Sequence, residues 1–175
     1  GLVGGKWQNA GSKLGIAAKT GKVERRGLTV VDLDNDGVLD VLPAHYDCTA
    51  SPAHEAWIDR GDGVLLNQAA TIGLTATGSQ WGVSAADWDL DGDLDVTWLH
   101  DGCGDMAASQ PFYRNVGRGP NGQPVFERQV PHDFYSFPKA KNPFASPMGA
   151  DGADFDLDGL PDLAIANIGM PYPLE

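Results

Sequence analysis

One nine-residue pattern occurs three times in this chain and constrains its fold more than any other feature. The segments Asp32-Leu-Asp-Asn-Asp-Gly-Val-Leu-Asp40, Asp87-Trp-Asp-Leu-Asp-Gly-Asp-Leu-Asp95 and Asp154-Phe-Asp-Leu-Asp-Gly-Leu-Pro-Asp162 all read D-x-D-x-D-G-x-x-D. Their starts lie 55 and then 67 residues apart, a period that suits a multi-strand unit and exceeds that of a helical hairpin repeat. The likeness extends past the loop. Gly27, Gly82 and Gly149 stand five residues before it each time, followed by small or β-branched residues. Each loop then runs into an apolar stretch: Val-Leu-Pro-Ala-His45, Val-Thr-Trp-Leu-His100 and Leu-Ala-Ile-Ala-Asn167. These flanks read as strands entering and leaving the loop.

A second pattern fills the space between loops. Trp57 to Asn67, and Phe112 to Gly117 followed by Val125-Phe126, each predict a hairpin, with Gly61-Asp-Gly63 and Gly117 through Gly122 as turn chemistry. The head of the chain, Lys6-Trp-Gln-Asn9 with Leu14-Gly-Ile16, resembles the end of such a hairpin plus the link to the next unit. The expected count is one leading strand, two units of four strands and a final pair.

Composition agrees with this reading. The 175 residues are 42% hydrophobic, enough for one globular domain, and Gly (23) with Pro (12) calls for many turns. The net charge is −12, and 20 of the 24 acids are Asp. A solvated helical surface favours Glu, so an Asp excess points to turns, caps or oxygen-ligand metal sites. Only 12 basic residues are present, which argues against nucleic acid as partner, because counterion release needs a concentrated Lys/Arg face. No run of 18 apolar residues exists to span a membrane as a helix.

The loop chemistry selects its metal. Carboxylates at positions one, three, five and nine converge with a backbone carbonyl at position seven, and glycine at position six permits the sharp turn. The candidate ligands are Asp32, Asp34, Asp36, Val38 and Asp40; Asp87, Asp89, Asp91, Asp93 and Asp95; and Asp154, Asp156, Asp158, Leu160 and Asp162. An all-oxygen set suits calcium over zinc or copper, giving three Ca2+ sites. A helical EF-hand needs an acid at position twelve, which here is Pro43, Trp98 or Ile165. Four carboxylates crowded within a few Å repel one another unless a cation joins them, and bound calcium would bring the net charge to −6.

The loops, the upstream glycine and the Tyr113-Arg-Asn115-then-Gly117 hairpin resemble FG-GAP/VCBS repeats, the calcium-binding units of integrin α-subunit-type β-propellers. The resemblance implies an all-β fold of four-stranded antiparallel blades, with the calcium loop joining the first and second strands. It divides the chain into 1–26, the end of a preceding blade; 27–80 and 81–147, two blades with the first and second loops; and 148–175, a partial blade with the third. That is two and a half to three blades where the family usually has seven. The expected remedy is the rest of a longer polypeptide, or other chains, to close the propeller.

Other positions admit both a functional and a plain structural reading. His45, His100 and Asn167 each follow the last loop Asp by five residues; a ring of them would make a ligand face, and a lone strand-end His would simply bond a neighbouring loop. Cys48 and Cys103 are equivalent too and fit no zinc spacing. A disulfide between them requires Cα atoms closer than about 7 Å. Trp7, Trp57, Trp81, Trp88 and Trp98 read as core more than as sugar-stacking platforms, with Trp88 and Phe155 at one shared loop position. No nucleophile elbow or phosphate loop is present, so the expected function is non-enzymatic: a calcium-stabilised adhesion or protein-recognition scaffold of a secreted, periplasmic or cell-surface protein. The alternatives are a glycan-binding propeller and a scaffold part of a larger extracellular enzyme.

Overall fold

A computed structural model describes residues 2–3, 6–7, 9–16, 24–47, 49, 53–100, 110–129 and 146–168. Among them there is no helix, and twelve strands account for the regular structure: β1 (Leu2–Val3), β2 (Lys6–Trp7), β3 (Glu24–Val31), β4 (Asp40–Tyr46), β5 (Trp57–Asp59), β6 (Leu65–Asn67), β7 (Gln80–Ala86), β8 (Asp95–His100), β9 (Phe112–Arg118), β10 (Pro124–Gln129), β11 (Ser146–Ala153) and β12 (Asp162–Ile168). All pairings are antiparallel. Two sheets are four-stranded, β3-β4-β5-β6 and β7-β8-β9-β10, and two are two-stranded, β1-β2 and β11-β12. The chain is all-β, and each Asp loop joins the first strand of its sheet to the second. The leading segment forms a hairpin of two short strands where the sequence predicts one strand.

The sheets pack through their first strands, β3 on β7 and β7 on β11. The upstream glycines explain how backbones come so close. A Cβ on Gly27 would lie 2.7 Å from the Trp81 carbonyl oxygen, and one on Gly82 would lie 3.1 Å from that of Met148. The first is too close for any side chain, and the second is tighter than most side chains allow. At each glycine the pairing with the second strand slips by a residue, between Arg25 and Gly27, Gln80 and Gly82, and Pro147 and Gly149. A bulge of this kind bends the strand locally and increases its twist. The Thr29 hydroxyl then donates to the Val83 carbonyl at 2.7 Å across the same interface.

Between the two complete sheets lies the core: Leu33, Leu42, Ala44, Ile58, Ile72, Leu74, Val83, Val96, Trp98, Tyr113 and Phe126. Every residue of β8 is buried, as expected for a strand covered on both faces. Trp98 is wholly buried, its indole N–H donating to the Pro43 carbonyl on the neighbouring sheet at 3.3 Å. Truncating such a side chain to Ala costs about 3–5 kcal/mol. The link between units repeats as well. Asn9 Oδ1 accepts the Gly11 N–H and Asn67 Oδ1 the Ala69 N–H. The turn that follows then docks on the last strand of the next sheet, with Leu65 donating to the Leu14 carbonyl and Phe126 to that of Ile72.

Candidate metal centres

Each Asp loop is organised by its own carboxylates in the same way. The first Asp accepts two backbone N–H groups: Asp32 from Asp36 and Gly37, Asp87 from Asp91 and Gly92, Asp154 from Asp158 and Gly159, at 2.9–3.1 Å. The fifth Asp accepts the N–H of position seven, from Val38, Asp93 and Leu160. These short-range bonds are why an Asp-rich stretch closes into a loop on its own. Position four must turn left-handed, with φ of 53° at Asn35, 60° at Leu90 and 63° at Leu157. Asn tolerates that region, whereas for leucine it costs about 1 kcal/mol. Position six is Gly37, Gly92 or Gly159 with φ near 90°, which only glycine adopts freely.

The loops gather carboxylate oxygens in threes, within 4.8 Å of one another: Asp32, Asp34 and Asp36; Asp87, Asp89 and Asp91; Asp154, Asp156 and Asp162. The donor set fits a hard divalent cation, and the first loop carries a specific sign of it. Asp34 Oδ1 is buried and has no hydrogen-bond partner, an arrangement that costs free energy unless a cation satisfies it. Burial, followed by the repulsion of Asp36 and Asp32, raises its carboxyl above the ordinary range.

The ninth Asp of the first two loops has a different position from the sequence expectation of four equal carboxylates. Asp40 and Asp95 are fully buried. Asp40 accepts from Leu33 of its loop and from Asp59 of β5, both at 2.9 Å. Asp95 accepts from Trp88 at 3.2 Å and from Asn115 of β9 at 2.8 Å. Each therefore ties its loop to the third strand of its sheet. Desolvation pushes both carboxyls up to about 6. In the third loop Asp162 accepts from Phe155 at 3.0 Å and joins the metal-competent trio.

At position seven the backbone of Val38, Asp93 and Leu160 is held by its N–H bond to the fifth Asp. Asp93 also makes side-chain contacts that sequence reasoning missed. Asn35 Nδ2 donates to Asp93 Oδ1 at 2.9 Å, linking the first loop to the second, and Arg118 contacts the same oxygen at 3.2 Å. Arg114 of β9 pairs with Asp89, and with Asp91 at 3.9 Å. These cations partly balance the second loop. The only hint in the sequence is that Arg114 falls inside the hairpin pattern.

His45 and His100 do not form the open face that the sequence suggested. His45 and His100 are buried, at 2% and 1% exposure. His45 Nε2 lies 3.2 Å from Glu55. His100 Nε2 lies 3.0 Å from His54 Nε2, and the His54 ring stacks on Trp98 with centroids 4.1 Å apart. Burial lowers His100 to about 4 and His54 well below its ordinary value, so both are neutral near pH 7. His54 has no counterpart in the repeat and carried no sequence signal. The Asn167 side chain, Cys48 and Cys103 lie outside the described residues. No protein-family model matches the chain, and no curated protein matches it.

Proposed function

We propose that the chain is a calcium-binding β-propeller module of a secreted or cell-surface protein, serving as an adhesion or protein-recognition scaffold in which calcium is structural. The observation that carries this reading is the threefold gathering of Asp carboxylates between the first and second strands of successive antiparallel sheets. Supporting it, the sheets stack through equivalent strands with equivalent glycines, as blades of a FG-GAP/VCBS-type propeller would. Exposed Asp loops of modest affinity suit the millimolar calcium found outside cells. Trp98, which a glycan-binding reading would want at the surface, lies wholly buried against His54 and Tyr113.

Each ion would be held by one carboxylate trio, with backbone carbonyls completing the shell. Calcium would supply only charge neutralisation and cross-linking of the loop. At ten times the dissociation constant each site adds about 1.4 kcal/mol, so three contribute on the order of 4 kcal/mol. For a chain of this size that is roughly 8–16 °C in Tm. The test is elemental analysis with thermal melts: three calcium ions per chain, and a Tm lowered by EDTA and restored by calcium. A chain that holds no calcium and melts identically in both buffers refutes the proposal.

A further inference from the structure

At loop position four only Asn35 carries a hydrogen-bonding side chain; Leu90 and Leu157 stand at the equivalent places. Asn35 lies between Asp34 and Asp36, two members of the first carboxylate trio. Its amide leaves its own loop and donates twice to the second, to the Gly92 carbonyl at 3.3 Å and to Asp93 Oδ1 at 2.9 Å. The peptide between Gly92 and Asp93 is thereby gripped at both ends, because its N–H donates to Asp91 of the second trio at 3.0 Å. A short run of bonded groups thus joins one trio to the other. Asp34 and Asp36 flank Asn35, Asn35 holds the Gly92-Asp93 peptide, and that peptide is tied to Asp91.

Arg118, at the end of β9, reinforces the junction. It contacts the same Asp93 oxygen at 3.2 Å, so this carboxylate is shared between the first loop and the second sheet. Burial raises the Asp34 carboxyl, and the charge of Arg118 acts on it in the opposite sense from across the junction. The step from the second loop to the third lacks the device, since the Leu90 side chain has no donor to offer.

We propose that Asn35 couples the first two calcium sites, so that filling either raises the affinity of the other about three- to tenfold, the worth of one ordinary hydrogen bond. The coupling rests on the calcium reading of the loops and adds a regulation to it. Its physical reason is shared ordering. Asp34 and Asp36, drawn onto one cation, immobilise the residue between them, and Asn35 then fixes the peptide that leads into position seven of the second loop. The entropy of ordering that peptide is lost once instead of at each site. By linkage the second site returns the same factor to the first. Two cations in neighbouring loops also repel each other, so the decisive comparison is between chains that share this repulsion and differ in the amide.

Calcium calorimetry, with the third loop disabled throughout by Asp156→Ala, measures the coupling. Asp89→Ala leaves the first site alone, and Asp34→Ala leaves the second. The chain with both sites gives the product of its two binding constants, and dividing this by the two single-site constants yields the coupling factor. Because the factor is a ratio, a variant's own effect on either site cancels. The expected factor is about three to ten with Asn35 in place and about one or less with Asn35→Leu, which installs the residue that the other two loops carry there. Asp93→Leu removes the acceptor from the opposite side and should have the same effect, with circular dichroism showing that each variant keeps its β-sheet. Two bound calcium ions with a factor of one or below in the Asn35 chain overturn the inference and leave the calcium reading standing. An undiminished factor in either folded variant overturns it as well. A chain that binds no calcium overturns both.

Discussion

Asp95→Ala separates the structural role of the ninth loop position from metal binding. In the folded chain Asp95 is fully buried, and its two oxygens accept the N–H groups of Trp88 and Asn115. Alanine strands both donors, and Asn115 is itself fully buried. Hydrogen bonds to a buried charge are worth about 1.5–3 kcal/mol each. Against this, the substitution removes a carboxylate whose own desolvation is unfavourable, as its upward shift to about 6 records. The net loss should be about 2–4 kcal/mol, or roughly 4–16 °C in Tm for a chain this long. Asp89→Ala makes the contrast, since Asp89 is exposed and pairs with exposed Arg114, an interaction worth at most about 1 kcal/mol. Thermal and urea melts in EDTA should therefore rank Asp95→Ala well below Asp89→Ala in stability. Asp95→Asn, which keeps one acceptor oxygen, should fall between them. Equally small losses for the two variants in EDTA, with a larger loss for Asp95→Ala appearing only when calcium is added, would show that Asp95 acts as a ligand without bracing the sheet.

The remaining predictions follow from buried polar groups. Tyr113→Phe removes the hydroxyl that accepts the Ala76 N–H at 2.8 Å and should cost about 1–2 kcal/mol in urea melts; no change would mean that water replaces it. The His54–His100 contact predicts a pH dependence. The folded value of His100 is about 4 against an ordinary 6.5, so between those pH values the unfolded chain binds more protons and stability falls as pH drops through the window. The loss attributable to His100 reaches about 3 kcal/mol near pH 4. It should be read as the difference between wild type and His100→Gln, so that loop carboxylates cancel, and parallel pH profiles would refute it. Gly78→Ala places a Cβ 2.6 Å from the His100 ring at a φ of +154° and should destabilise by more than about 1 kcal/mol, whereas Gly37→Ala, with open space around it, should show only the strain of its left-handed backbone.

Much of this architecture was legible in the residues because the pattern repeats. The Asp loops and the strands on either side are local structures: an Asx-rich loop is closed by its own carboxylates, and alternation or apolar runs mark what flanks it. The recurring glycine was visible in sequence as well, but its reason was not. Only the stacked sheets show that Gly27 and Gly82 lie against another strand's backbone. Position four of the loop was silent for a related cause, because Leu90 and Leu157 hold a conformation that their own propensity opposes and that the rest of the loop imposes.

The division between the two sources of information is thus physical. The sequence by itself determined the all-β character, the three acidic loops and the oxygen chemistry of any metal they hold, since each depends on residues within a dozen positions of one another. Tertiary structure alone decided that the ninth Asp of the first two loops clamps a strand 19 or 20 positions away, that His45 and His100 turn inward, and that Arg114 partly balances the second loop. These outcomes depend on which segments meet across sheets. Burial then assigns roles that residue type and spacing leave open, turning one aspartate into a brace and leaving its neighbours free to meet a cation.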